Sequence, residues 1–304
     1  MNKLPEMVEQ YLQIRRAQGS TAVDVGRILA KFCDYVQASQ DTALTVQLAV
    51  GFATDKEGLS DRSIALRLSA VRGFCRWAQT IDHTIEVPPG GLLKARKSRN
   101  VPYIYTPEEV SELLDASLRL HPSFRAKTMA VLIGLMAATG IRTGEACALD
   151  IGDLNPVAST LRITGKYGKI RLLPPHPTTM TALKAYTEFR TGLAPAANCP
   201  ALLVSSRGNR LRATHVDESF REILTHTSLS QHSRKCRPRL TDLRHTFAVN
   251  TMLDAYASGQ DPRKILPVLS TWMGHSLLAD TYWYLGCTPA LMRAAAQRLE
   301  SEES

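Results

Sequence analysis

The chain has 304 residues, enough for two domains of ordinary size, and its apolar share of 44% excludes a disordered chain. Lys and Arg number 37 against 28 Asp and Glu, a formal net charge of +9 that favours a polyanionic partner. No apolar run approaches the roughly 20 residues that cross a bilayer; the longest, Met129 to Ala138, reads as a buried helix. The opening Met1-Asn2-Lys3-Leu4-Pro5-Glu6 lacks the basic-then-apolar pattern of a signal peptide, so a cytoplasmic location without membrane association is expected. Cys33, Cys75, Cys147, Cys199, Cys236 and Cys287 form no C-x-x-C pair; they read as reduced thiols and predict no metal site.

The first stretch, 1–85, reads as a small helical domain. Apolar residues recur at helical spacing in Leu4, Met7, Val8, Tyr11, Leu12 and Ile14, and again in Val23, Val25, Ile28, Leu29, Phe32 and Val36. A shorter run extends from Val46 to Phe52, and a fourth joins Ile64, Leu66, Leu68, Val71, Phe74, Cys75 and Trp77. Four amphipathic segments with short polar breaks predict a bundle. Ser60 and Asp61 are candidate caps of the fourth helix. That helix carries Arg62, Arg67, Arg72 and Arg76, either a solvated basic face or a face along DNA phosphates, with Arg67 and Arg72 the candidate contacts.

Residues 86–105 read as a basic linker. Pro88, Pro89, Gly90, Gly91 and Pro102 interrupt periodicity, and Lys94, Arg96, Lys97 and Arg99 supply charge suited to a strand crossing a DNA backbone. A second domain, 106–304, opens on Thr106-Pro107-Glu108-Glu109, a capping-box signature with proline in the first turn. Helices are predicted over about 107–117 and 124–138. Thr160 to Thr164 and Ile170 to Pro174 then alternate like short strands, joined by a hairpin turn at Gly165-Lys166-Tyr167-Gly168-Lys169. From about 177 the pattern returns to helix. The fold class is therefore mainly α with a small β-sheet (α+β).

Four separated segments stand out: Ala138-Thr139-Gly140-Ile141-Arg142-Thr143-Gly144-Glu145; the Gly165–Lys169 turn; Thr241-Asp242-Leu243-Arg244-His245-Thr246-Phe247-Ala248; and Met273-Gly274-His275 through Thr281-Tyr282-Trp283-Tyr284. In order, content and separation they resemble the catalytic domain of tyrosine recombinases, the phage integrase family. The resemblance covers about 106–300 through motifs, and the N-terminal bundle, a core-binding domain in this family, through shape alone. The phrase from Asp280 to Leu285, with Thr288-Pro289 following, resembles integrases of transposons and plasmids, which implies element mobility.

A DNA phosphodiester repels nucleophiles and gathers further negative charge on its non-bridging oxygens when attacked. Paired arginine donors can stabilise that charge. The resemblance implies that Arg142 and Arg244 are this clamp. Glu145, one turn after Arg142, would orient and balance its guanidinium. The family spacing puts the nucleophile nine residues past His275, at Tyr284. Tyr282 is turned away from it by about 200° along a helix and, with Trp283, is expected to pack in the core. Lys166 matches the general acid for the departing 5′ oxygen, with Lys169 as the alternative, and His275 matches a ligand of the scissile phosphate. Thr241 departs from the pattern by replacing the usual histidine. It can donate a hydrogen bond but cannot shuttle protons near neutral pH, so reduced rather than absent activity is expected, with His245 one turn on as a weak substitute.

Arg234, Lys235, Arg237 and Arg239 form a second basic cluster, read as a phosphate-contacting loop. The resemblance implies double-stranded DNA as partner, a homo-tetramer (or a hetero-tetramer with related recombinases) exchanging strands through a four-way junction, and a nucleoid-associated location. It implies no metal, cofactor or ATP, because arginines neutralise the phosphate and the covalent intermediate conserves the bond. The tail from Pro289 to Ala296 reads as a helix, with Leu291 and Met292 as anchors on a neighbouring subunit or on its own domain. Three rival readings are a DNA-binding member that has lost catalysis, a type IB topoisomerase working as a monomer, and an unrelated basic regulator.

Overall fold

The computed structural model describes residues 3–20, 22–39, 43–93, 101–165, 168–193, 198–232, 237–277, 279–285 and 288–302, without the side chains of 283–285 and 298–302. The chain divides into two compact units, Met1–Arg99 and Asn100–Ser304. The described residues are mainly helical, with one small sheet, the α+β class that the periodicities predict.

The first unit holds α1 (Lys3–Ala17), α2 (Val23–Ser39), α3 (Val46–Thr54) and α4 (Asp61–Ala78). Thr45 caps α3 by accepting from the Leu48 amide, and Ser60 caps α4 by accepting from the Ser63 amide. Asp61 is thus the first helical residue rather than the cap. Leu29, Phe32, Phe52, Val71 and Phe74 are buried, with Phe32 edge-on to Phe52 at 5.2 Å. Arg67 does not lie on a free basic face. It pairs with Asp55 at 2.7 Å, stacks over the Phe52 ring at 4.1 Å, and its side chain is 12% exposed. The geometry assigns it to holding α3 against α4. Ile85, the last residue of the expected bundle, is buried, and Val87 and Leu93 at the start of the expected linker pack on the same core.

The second unit begins with Tyr105, buried, its amide donating to Thr246 Oγ1 and its hydroxyl to the Arg239 carbonyl. The capping box is present at the start of α5 (Pro107–Ser117), and α6 (Ser123–Thr139) forms the centre of the largest core. After α7 (Thr143–Ala148) come β1 (Leu154–Asn155), β2 (Thr160–Thr164) and β3 (Ile170–Leu173), an antiparallel sheet in that order. The register pairs Leu161 with Leu173 and Ile163 with Arg171. Opposed residues share a face, so Arg171 lies on the buried face with three apolar neighbours, while Ile170 and Leu172 are 60% and 63% exposed.

Next come α8 (Pro177–Thr191), α9 (Ala213–Thr225), α10 (Asp242–Ala257), α11 (Pro262–Met273), α12 (Ala279–Leu285) and α13 (Pro289–Glu302). Between α8 and α9, Ala201 to Val204 are completely buried although they form only isolated bridges. Leu202 donates to the Leu149 carbonyl and Leu211 to that of Leu203, which pairs the Leu202 amide and the Leu203 carbonyl within this buried stretch. Leu291 is buried against α10 and α11 residues of its own unit, whereas Met292 is 62% exposed. Cys33, Cys75, Cys147 and Cys199 are free thiols. No helix among the described residues is long and apolar enough to cross a membrane.

Candidate active site

Two glycine turns build the site. α6 stops at Gly140, whose φ of 63° is left-handed, and a Cβ there would lie 2.5 Å from the Phe247 ring. The chain then turns into Arg142, the extended residue that starts α7. α11 stops at Gly274, φ 65°, where a Cβ would meet Arg171 Nη1 at 2.8 Å. His275 follows at once. Each glycine therefore ends a helix and admits a side chain from another segment.

Arg142 donates from Nη1 to Glu145 Oε1 at 2.9 Å, and its amide donates to Oε2 at 3.0 Å. Its side chain is 38% exposed, while that of Glu145 is 7% exposed. Glu145 is shared with Arg171, which donates to both carboxylate oxygens at 3.2 and 2.8 Å. Burial pushes the Glu145 pKa up. The Arg171 hydrogen bonds, the Arg142 amide and the charges of both arginines outweigh burial and hold it below the ordinary carboxylate value. Arg171 also donates from Nε to the Trp272 carbonyl at 2.8 Å. It thus ties α7, β3 and the end of α11 together.

Arg244, on the first turn of α10, is 4% exposed. Nη1 donates to the Gly140 carbonyl at 2.6 Å, and Nη2 donates to the Met273 carbonyl at 2.6 Å and to His275 Nε2 at 2.9 Å. Both glycine turns therefore seat the same guanidinium. Opposite that contact, His275 Nδ1 lies 2.8 Å from Oγ1 of Thr281, a residue 1% exposed on α12. Burial, then Arg244 and Arg142, lower the His275 pKa to about 4; Asp280 opposes this and Arg171 adds to it. The ring is neutral at physiological pH. These interactions bring Arg142, Arg244 and His275 into one electrostatic neighbourhood.

Thr241 is exposed at the start of α10, and its side chain makes no cap hydrogen bond. His245 is half-buried with Nε2 3.9 Å from Asp242 Oδ1, and burial lowers its pKa to about 4. Tyr282 is 56% exposed, contrary to the core position expected of it: α12 turns Thr281 inward, and its neighbour outward. Tyr284 lies on α12 one turn after Thr281, its side chain outside the described set. Lys166, Lys94, Arg96, Lys97, Arg99, Arg234 and Lys235 lie outside the described residues; Lys169 and Arg237 are exposed, and Arg72 is half-buried. Among the described residues no group of three or more His, Cys, Asp or Glu is placed to hold a metal.

Arg171 and Thr281 were missed by sequence reasoning. A signal for Arg171 existed: once Thr164 and Ile170 close the hairpin, parity places 171 on the face of Leu161 and Ile163. The signal for Thr281 was weaker, six residues after His275 and three before Tyr284.

Comparison with known proteins gives the family and the fold. The profile described as "Phage integrase family" matches residues 104–289. A protein of Sinorhizobium fredii named as integrase/recombinase y4rB is 36% identical over 99% of this chain and 98% of its own length. Tyrosine recombinase XerC of Roseiflexus sp. is 30% identical over 99% of this chain and 94% of its own. Among solved structures, the XerH site-specific recombinase bound to difH in a post-cleavage complex superposes with a TM-score of 0.65 at 19% identity, covering 98% of this chain and 84% of that one. The Tn1549 transposon integrase in complex with transposon right end DNA gives 0.65 at 17%, covering 97% and 99%. At those identities the superpositions speak to the fold. The chain belongs to the phage integrase family and is an enzyme of the tyrosine recombinase class.

Proposed function

We propose that this enzyme recombines DNA at specific sites through a 3′-phosphotyrosyl intermediate on Tyr284, and that it serves the integration or excision of a mobile element. The observation that carries the reading is the seating of Arg244 and His275 on the two glycine turns, with Arg142 beside them and Tyr284 on the adjoining helix. The tyrosine hydroxyl gives up its proton to water as its oxygen attacks phosphorus, the P–O5′ bond breaks, and the 5′ oxygen takes a proton from Lys166. A 5′ hydroxyl from a second strand reverses the step and releases the tyrosine. Arg142 and Arg244 stabilise charge on the non-bridging oxygens, and His275 donates to one of them. Arg142 suits this role because its half-exposed guanidinium spends one side-chain donor on Glu145.

Residues 1–85 form a core-binding domain in this reading, 86–105 a basic linker and 106–304 the catalytic domain. Arg72, Lys94, Arg96, Lys97, Arg99, Arg234, Lys235 and Arg237 contact phosphates, and the working form is a tetramer on two duplexes. The test is a nicked duplex carrying the element's end, incubated with wild type, Tyr284→Phe and Tyr282→Phe. A denaturation-resistant protein–DNA band lost only with Tyr284→Phe is expected. No band from wild type on DNA that it binds would contradict the reading.

Thr241 favours a second reading, a recombinase impaired at one position, because an exposed hydroxyl stands where a proton-transfer group is usual. In that case Thr241→His raises adduct formation by up to ~10²-fold, the lower end of what a positioned proton-transfer group contributes.

A further inference from the structure

The hydrogen bonds around His275 fix where its proton sits. A guanidinium has no acceptor. Arg244 Nη2, 2.9 Å from Nε2, therefore donates, and Nε2 carries a lone pair. The proton of the neutral ring is then on Nδ1, which donates to Thr281 Oγ1 at 2.8 Å. This arrangement suits the free enzyme and is wrong for the bound one. A phosphate oxygen is an acceptor, so His275 can assist it only with a proton on Nε2.

Two routes supply that proton. One adds a cation to a ring already faced by Arg244 from α10, Arg142 at the start of α7 and Arg171 on β3, with Asp280 on α12 as the opposing charge. The other leaves the ring neutral, giving up the Nδ1 proton to water and binding one from water at Nε2. Nδ1 then needs a donor. Thr281 supplies one, because a hydroxyl can accept in the first state and donate in the second. Its burial on α12 keeps it beside the ring in both.

We propose that Thr281 is a positioning residue whose hydroxyl reverses its hydrogen-bond direction, so that His275 accepts from Arg244 in the free enzyme and donates from Nε2 to the scissile phosphate in the DNA complex. This rests on the functional reading above. Atoms and charge balance: one proton leaves Nδ1, one arrives at Nε2, and the hydroxyl rotates.

The test uses the full chain with ¹⁵N-labelled histidine and the Tyr284→Phe substitution, free and on uncleaved duplex; His275→Gln assigns the signals. The ring-nitrogen shifts are expected to show Nδ1–H in the free protein and a neutral Nε2–H ring on DNA. Thr281→Val, in the chain with Tyr284 intact, is expected to slow adduct formation at least tenfold at neutral pH. That loss shrinks as pH falls, because an imidazolium can donate without help. Thr281→Ser restores the wild-type rate and pH profile, which a packing defect would not allow. A proton on Nε2 in the free protein, an unchanged ring on DNA, Thr281→Val at wild-type rate, or Thr281→Ser as slow as Thr281→Val would each overturn the proposal. A wild-type chain that binds DNA but forms no adduct contradicts the functional reading alone, and the ring spectra then decide this one.

Discussion

The two arginines of the site are held in opposite ways. Arg142 is half-exposed and is oriented by a carboxylate that it shares with Arg171. Arg244 is buried and is held by two main-chain carbonyls and a neutral histidine. A carboxylate can be titrated, and its attention can be divided; carbonyl oxygens have neither property. The Arg142 side is thus an ion-pair network tuned by charge. The Arg244 side is a rigid seat made by backbone turns at Gly140 and Gly274. In the proposed mechanism, a phosphate entering between them would meet one adaptable donor and one fixed donor.

The largest effect is expected on the fixed side. If Arg244 is the transition-state donor proposed above, Arg244→Ala should lower cleavage by ~10²–10³-fold, the loss typical of one oxyanion donor. It also strips a donor from the Gly140 and Met273 carbonyls. Arg244→Lys should not rescue, because one ammonium cannot reproduce the fork that reaches both turns and His275. Single-turnover cleavage at saturating DNA measures this; recovery with Arg244→Lys would break the contrast.

Glu145→Gln should act mainly on stability. It breaks a buried carboxylate that serves two arginines, a change of about 3–5 kcal/mol. Each kcal/mol lowers the melting temperature by ~2–4 °C for a unit of this size. Arg142→Ala leaves Glu145 with Arg171 and should cost less. Equal losses from the two variants would show that the carboxylate is not shared as described.

The pH dependence separates the two sides further. His275 and His245 have folded pKa values of about 4, below the unfolded value near 6.5. The unfolded chain binds more protons between those values. Their contribution is therefore complete above about 6.5 and falls away as pH drops toward 4. Glu145 acts lower: its depressed pKa means stability present above the unfolded carboxylate value and lost as pH falls through the folded one. Urea unfolding from pH 7 to 4 should show a decline that His275→Gln reduces. Glu145→Gln should leave that part unchanged and flatten the curve only at lower pH.

The smallest effect concerns the basic helix α4. Arg72→Ala should weaken DNA binding and reduce its salt slope by about one. Arg67→Ala should leave the slope alone and lower the stability of the first unit, because its charge is paired with Asp55. Reversed outcomes would mean that the helix presents its other face to DNA.

Much of this molecule was legible because local rules and tertiary needs agree. Thr106 and Glu109 satisfy each other's backbone donors, so the start of α5 is written in four residues. β2 alternates Thr160, Leu161, Arg162, Ile163 and Thr164, and buries the apolar members. β3 reads differently: Ile170 and Leu172 look inward by hydropathy, yet the hairpin register turns Arg171 inward, where Glu145 and the Trp272 carbonyl satisfy it. The Ala201–Val204 stretch escaped notice because it is buried without a periodic ladder. Thr281 escaped because its partner His275 lies across a loop, and a threonine three residues before a tyrosine carries no chemical signal of its own.

The central claim is covalent attachment of DNA at Tyr284, and mass spectrometry of a trapped complex tests it most directly. Wild-type protein would be reacted with a nicked duplex, denatured, digested with nuclease and protease, and the peptide spanning Ala279 to Arg293 sequenced. The account predicts a 3′-linked nucleotide mass on Tyr284 alone. A nucleotide on Tyr282, or an unmodified peptide from a complex that survives denaturation, would contradict it.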